Sequence, residues 1–453
     1  MANPVNGPRR EPAVRRPPLA APRAAAVPIE QLLDPAAMLA VFRRELPALA
    51  DGTLQVLGCS VKPAKTAGSR SAFLEGRTAL VYRVVVDGGG GEQQRVLQGI
   101  APVDGAFPGP ELEARCRALT GHPAAAPFRR LWLRVDGLQL GLLVFPVDAA
   151  LPALAELTGD SAAAVLAPLL PESRAGAPLQ RCTAELCHYK PGERAVLRVR
   201  AEFGVPAGAR TAYCKLFADD QGERSHRELC GLAAAAQGSA WLRVPEPLGY
   251  DAARRVLVLA EVPGGRALAD WIHCLEDGQP LPDGVDLARV ERGVLAAAEA
   301  LAALQGCGVQ PSAQQTFADV LGSLQKDREL LRRGAHGAPA ALVDAALGLI
   351  ARLEAMAPAR ETLVPSHGGA RHKQTVGDER TLAFVDWDGF CCASPALDPA
   401  TFLARLRQAP IADPGAPPAL ERLADAFRAR FLARAPAAAA ALPLYEALVL
   451  AGQ

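Results

Sequence analysis

The sequence predicts an α+β chain in which two strand-rich segments precede a mostly helical half. Three observations carry that prediction. Segments near residues 59–145 and 187–260 repeat one succession of turns, strands and a helix. From Ala267 onward, apolar residues recur at helical spacing. The length of 453 residues exceeds one ordinary core and calls for two or three domains.

Residues 1–28 are rich in Pro, Arg and Ala, with Arg9, Arg10, Arg15, Arg16 and Arg23 facing one acid. They lack the apolar core of a signal peptide and read as a disordered tail; contact with an anionic partner is the alternative.

Residues 29–155 form the first copy. Asp34 is a plausible helix cap. Cys59-Ser60-Val61-Lys62-Pro63 and the apolar run after Arg77 read as two strands, with Gln98 on a third. The second copy, 156–265, opens at Asp160. It continues with Cys187-His188-Tyr189-Lys190-Pro191, a run from Arg194, and Lys215. Arg77 and Gln98 are 21 residues apart, as are Arg194 and Lys215. Glu113 then parallels Glu228, and Asp136 parallels Asp251, each of the latter joining two strands. The shared order reads as a duplication; two unrelated meanders of biased composition are the alternative.

The third part, 266–453, is helical. Leu287, Val290, Val294, Ala298, Leu301 and Leu304 fall on one face, and further helices fit 316–333 and 339–356. Thr375-Val376 and 382–385 flank the turn 377–380 as a hairpin.

Composition excludes some classes. A net charge of +1 gives no electrostatic case for nucleic acid, and no apolar run is long enough to span a membrane. Ten Cys without any C-x-x-C pair argue against a zinc site and for small buried thiols in a reducing cytoplasm.

The chemistry concentrates in Ser366-His367-Gly368-Gly369-Ala370-Arg371-His372-Lys373-Gln374 and in Val385-Asp386-Trp387-Asp388. These resemble the catalytic and metal loops of the aminoglycoside and choline kinase-like phosphotransferases, H-G-D-x-H-x-x-N followed by a hairpin and V-D-W. Gly369 stands where the catalytic Asp belongs. Arg371 replaces the second His, and its positive charge suits an anionic substrate or a clamp on the γ-phosphate but not a base; Gln374 replaces the metal-binding Asn.

The resemblance covers about residues 180–453. It implies a bilobal protein kinase-like fold, with a β-rich N-lobe and a helical C-lobe, preceded by the N-lobe-like duplicate. It implies ATP and Mg²⁺ as cofactors, with Asp386 and Gln374 on the metal. Asp388 is either an auxiliary ligand or a surface acid, the second being favoured. Lys215 would meet phosphate and be held by Glu228; an amphipathic strand with a snorkelling Lys is the alternative. Lys190 and Arg194, in the hairpin turn, touch phosphate or are solvated. Backbone at Glu261 and Val262 would meet the base. His367 braces backbone rather than acting as a base. Asp398 either braces the catalytic loop or caps its own helix.

Gln98 cannot neutralise phosphate, so the first copy is expected not to bind nucleotide; docking on the second copy, shaping substrate entry, or meeting a protein partner are the alternatives for it. The expected activity is ATP-dependent phosphorylation of a hydroxyl on a small molecule or peptide. Transfer of another group, such as AMP, fits the same residues. With Gly369 lacking a proton acceptor, a pseudokinase acting as scaffold or regulator is the alternative.

Overall fold

The computed structural model describes residues 29–46, 52–64, 77–88, 91–103, 105–204, 206–332, 340–412 and 418–452. The basic tail lies outside them. Contacts divide the chain into two compact units, one from residues up to 145 and one from 146 onward, with 122–124 in the second.

The first unit holds an antiparallel sheet of β1 (Gln55–Ala64), β2 (Thr78–Asp87), β3 (Glu92–Ala101), β4 (Trp132–Val135) and β5 (Leu140–Val144), in the order β1-β2-β3-β5-β4. Asp34 caps the helix Pro35–Glu45 by accepting from the amides of Ala36 and Ala37. That helix buries Met38, Val41 and Phe42. Phe42 packs edge-on against Tyr82 of β2 at 5.2 Å, and the Tyr82 hydroxyl donates to the Leu32 carbonyl at 3.0 Å. A buried phenol is thereby satisfied.

The second unit begins with another five-stranded sheet: β6 (Leu179–Lys190), β7 (Arg194–Phe203), β8 (Ala209–Phe217), β9 (Pro247–Asp251) and β10 (Val256–Ala260). Its order, β6-β7-β8-β10-β9, matches the first. In β7, Ala195, Leu197, Val199 and Ala201 are buried while Arg198 and Arg200 are exposed, the period of two that a half-buried strand requires. One helix intervenes before the last two strands of each sheet, Pro110–Ala118 and Gln221–Ala236.

The registers differ, however. Gln98 faces Val81, four residues beyond Arg77, whereas Lys215 faces Val196, two beyond Arg194. The equal spacing in the sequence therefore does not carry over to equal strand pairing. The helical openings differ too: Asp160 does not cap, since Ser161 precedes Ala162–Leu166 and no side chain caps it.

From Ala267 onward the second unit is helical. The predicted face of Leu287–Gln305 buries Val290, Val294, Ala298, Leu301 and Leu304. These join Phe402, Phe427 and Phe431 in one core. The helices expected near 316–333 and 339–356 are Phe317–Arg332 and Ala340–Ala355. The hairpin forms as expected, with Thr375–Val376 paired to Ala383–Phe384.

All ten Cys are unbridged; only Cys116, Cys214, Cys391 and Cys392 are buried, fewer than expected. Among the described residues no helix is long and apolar enough to cross a membrane, and no three His, Cys, Asp or Glu side chains cluster as metal ligands.

Candidate active site

Strand Val364–Ser366 pairs with Cys391–Ala393 and delivers the chain into the His367 loop. Four successive amides of that loop converge on one buried carboxylate. Asp398 accepts from His367 at 2.5 Å, Gly368 and Gly369 at 3.1 Å, and Ala370 at 3.3 Å. Of its two sequence readings, the structure selects the brace. Charge-assisted bonds to four amides hold the loop in one shape.

His367 ties this loop to the next. Its Nε2 donates to the Val385 carbonyl at 2.9 Å, and its ring packs on Phe384 and Trp387. Burial pushes the imidazole below its ordinary value, so it is neutral. Gly368, at φ 81°, is required: a Cβ there would meet the Gly389 carbonyl at 2.0 Å. Gly369 differs. Its φ of 154° is one that side-chain-bearing residues rarely adopt, but a Cβ there would meet nothing within 4 Å.

Asp386 takes a left-handed backbone, φ 68°. Its carboxylate accepts from Lys215 Nζ at 3.0 Å and from Gln374 Nε2 at 3.4 Å. Burial would raise this carboxyl, but Lys215 and Arg194 overcome that and hold it well below the usual range. Gln374 Oε1 is buried and has no partner among the described residues. An unsatisfied amide oxygen beside an ionised carboxylate suits a hard divalent cation, so Asp386 and Gln374 fit Mg²⁺.

Two expectations need correction. Asp388 is not a surface acid: its side chain is 8% exposed and accepts from Lys215 at 2.6 Å and Arg194 at 2.8 Å. Glu228 does not hold Lys215. It accepts from the amide and hydroxyl of Ser312, because two carboxylates from the Asp386 loop already satisfy the lysine. A nearly buried ammonium needs such partners.

The remaining predicted residues scatter around this pair. Lys190 bonds Glu193 within its own turn. Arg194 reaches Asp388 rather than solvent. Glu261 pairs with Arg198 at 3.1 Å. Lys215, Asp386, Glu261, Val262 and Arg371 line one cleft of about 470 Å³, within the roughly 300–1,000 Å³ typical of ligand sites.

Sequence reasoning missed Asp148. It is 2% exposed; Oδ2 accepts from the Tyr189 hydroxyl at 2.7 Å and the Gly192 amide at 2.9 Å, and Oδ1 from Ala150 and Leu151. It fixes the β6–β7 turn from outside the repeated motif; locally the sequence signals only its contacts to Ala150 and Leu151, not those to the turn.

A strand-borne lysine facing a post-hairpin aspartate, beside an H-G loop braced by a helical aspartate, defines the kinase-like class of phosphotransferase. Residues 190–443 match the phosphotransferase enzyme family, and the chain belongs to it. Similar solved structures include a macrolide 2'-phosphotransferase of Brachybacterium faecium. It is 21% identical, covers 63% of this chain and 91% of that one, and has a TM-score of 0.37. An aminoglycoside phosphotransferase of Streptomyces rimosus is 18% identical over 65% and 98%, with a TM-score of 0.36. A choline kinase of Cryptosporidium parvum is 10% identical over 64% and 86%, with a TM-score of 0.42. Comparison with curated proteins gives no match.

Proposed function

We propose that this family member binds Mg·ATP in the 470 Å³ cleft and transfers its γ-phosphoryl group to a small molecule or peptide. The observation that carries this reading is the Lys215–Asp386 pair with the partnerless Gln374 Oε1 beside it. When bound, Mg²⁺ supplies charge neutralisation on the phosphates. Asp386 and Gln374 would hold it. Lys215 is poised to exchange a carboxylate contact for a phosphate oxygen, and Arg194 stands next to it. Glu261 and Val262 lie on the cleft wall that follows β10, where an adenine edge would meet backbone. The Asp398 brace keeps the His367 loop from rearranging, which favours a transfer that relies on positioning.

Substrate-dependent ADP formation tests the proposal. Asp386→Ala should abolish it while a melting curve shows the protein folded. ADP formation unchanged in that variant would refute the reading.

A second reading, a pseudokinase that binds nucleotide and regulates a partner, draws on Gly369, which offers no proton acceptor. Tight Mg·ATP binding with no product across a broad acceptor panel would favour it. Residues 29–155 are read as a degenerate duplicate of 156–265 that meets a protein partner. The identical strand order supports the duplication; the differing registers weigh against it.

A further inference from the structure

Lys215 has two carboxylate partners, and they are not equivalent. The Asp386 side chain is 38% exposed; Oδ1 accepts from Lys215 at 3.0 Å, and Oδ2 accepts from the Gln374 amide at 3.4 Å. The Asp388 side chain is 8% exposed, and each of its oxygens meets a cation. Oδ1 accepts from Lys215 at 2.6 Å and Oδ2 from Arg194 at 2.8 Å. Asp386 can therefore turn to a metal without stranding the lysine, because Asp388 stays on it. Asp388 cannot leave in the same way, since two cations would lose their carboxylate together.

The turn that carries Asp388, Trp387–Gly389, is fixed from both sides. The buried Trp387 indole donates to the Phe384 carbonyl at 2.7 Å, and the Asp388 carbonyl accepts from Gln221 Nε2 at 3.1 Å. Gln221 opens the helix Gln221–Ala236, the helix that also carries Glu228. Gly222 lets that helix start close against β8, because a Cβ there would meet the Phe217 ring at 2.6 Å. The helix thus still reaches the lysine, but through Gln221 and the Asp388 backbone. Glu228 is committed elsewhere, to the Ser312 amide and hydroxyl at 2.9 and 2.8 Å.

We propose that Asp388 is the positioning residue for Lys215, replacing the helical glutamate that holds such a lysine in the kinase-like arrangement, and that Glu228 takes no part. This rests on the phosphotransferase reading above and concerns the same cleft. Two carboxylates of one loop then divide the work. Asp386, the more exposed, serves the metal. Asp388 keeps the ammonium aimed at the phosphates when Asp386 turns away from it. Asp388 touches neither metal nor nucleotide and acts only through Lys215 and Arg194.

The test is calorimetric titration of the full chain with AMP-PNP at saturating Mg²⁺, beside a melting curve for each variant. Asp388→Asn should weaken binding by about tenfold or more, the effect of one lost charge-assisted bond. Glu228→Gln should leave the affinity within about twofold of wild type. A second titration separates positioning from metal binding. With nucleotide held at each variant's own dissociation constant, the Mg²⁺ concentration for half-maximal binding should stay unchanged in Asp388→Asn and rise in Asp386→Asn. If Asp388→Asn raises that concentration, Asp388 is a metal ligand; if it tightens nucleotide binding, Asp388 competes with phosphate for the lysine. Either result overturns the proposal. If Asp388→Asn does not fold, Glu228→Gln decides: unchanged affinity supports the proposal, and a loss of about tenfold means that the lysine passes to the helix on binding and overturns it. In each of these failures the kinase reading stands. If wild type does not bind AMP-PNP, the kinase reading falls and takes this proposal with it.

Discussion

The two five-stranded sheets share a strand order but differ in what they ask of the rest of the chain. At the centre of the first, Gln98 is 2% exposed and neutral. At the centre of the second, Lys215 is 7% exposed and charged. A buried amide can be satisfied by hydrogen bonds alone, whereas a buried ammonium needs opposite charge. Lys215 obtains it from Asp386 and Asp388, which lie 171 and 173 residues further along. The second sheet is thereby bound to the loops that carry the family motifs. The charge on Lys215 thus ties the second sheet to those loops, where the neutral Gln98 imposes no such demand.

The largest expected effect comes from removing that charge. Lys215→Ala leaves Asp386 and Asp388 facing each other with Arg194 alone, and should destabilise the second unit by about 3 kcal/mol, as breaking a buried pair does. Chemical denaturation measures it, and calorimetry should show Mg·ATP binding lost with it. If stability barely changes, the contrast between the sheets has been overstated.

Asp386→Asn should act next most strongly, with a signature in pH. Asp386 titrates below its unfolded value, so its contribution is complete above about pH 4, where an unfolded Asp is ionised. It is lost as pH falls toward the depressed native value. Wild type should therefore lose stability on acidification through that window, and the Asn variant should lose less across it. Identical acid limbs in the two melting series would remove Asp386 from the linkage.

Asp148→Asn probes the turn between β6 and β7, which in the second sheet is pinned by the Tyr189 and Gly192 contacts. The corresponding β1–β2 connection falls largely at 65–76, outside the described residues. A cost of about 1–2 kcal/mol is expected, from weakening charge-assisted bonds to a buried carboxylate. Nucleotide affinity should fall only a few-fold, because the turn lies beside the site and contributes no metal ligand.

Gln98→Met should have the smallest effect. It replaces one buried amide with an apolar chain of similar volume, costs about 1 kcal/mol, and leaves Mg·ATP affinity unchanged. A lowered nucleotide affinity would mean that the first sheet also takes part in the site.

Much of the candidate site was legible. His367, Gly368, Asp386 and Asp398 sit in short motifs whose letters are set by tight local geometry. Gly368 is the clearest case, since no side chain fits against the Gly389 carbonyl. Asp388 was misread because an acid in a loop, two residues beyond Asp386, is usually solvated, and nothing nearby in the chain announces Lys215. Glu228 was misassigned for the opposite reason: its spacing suited Lys215, but spacing does not say which carboxylate arrives first. Asp148's amide contacts to Ala150 and Leu151 are local, but its partners in the β6–β7 region, the Tyr189 hydroxyl and the Gly192 amide, lie more than forty residues away, and nothing in the sequence links them.

The sequence by itself determined the periodicities, and with them the strands, the helices, the hairpin and the two motif loops. Side-chain alternation and helical spacing are properties of neighbours in the chain. Tertiary structure alone decided the pairing of charges. It set Lys215 on Asp386 and Asp388, Glu228 on Ser312, and four loop amides on Asp398. Those outcomes depend on which desolvated groups meet across long sequence separations, where electrostatic compensation rather than local pattern selects the partner.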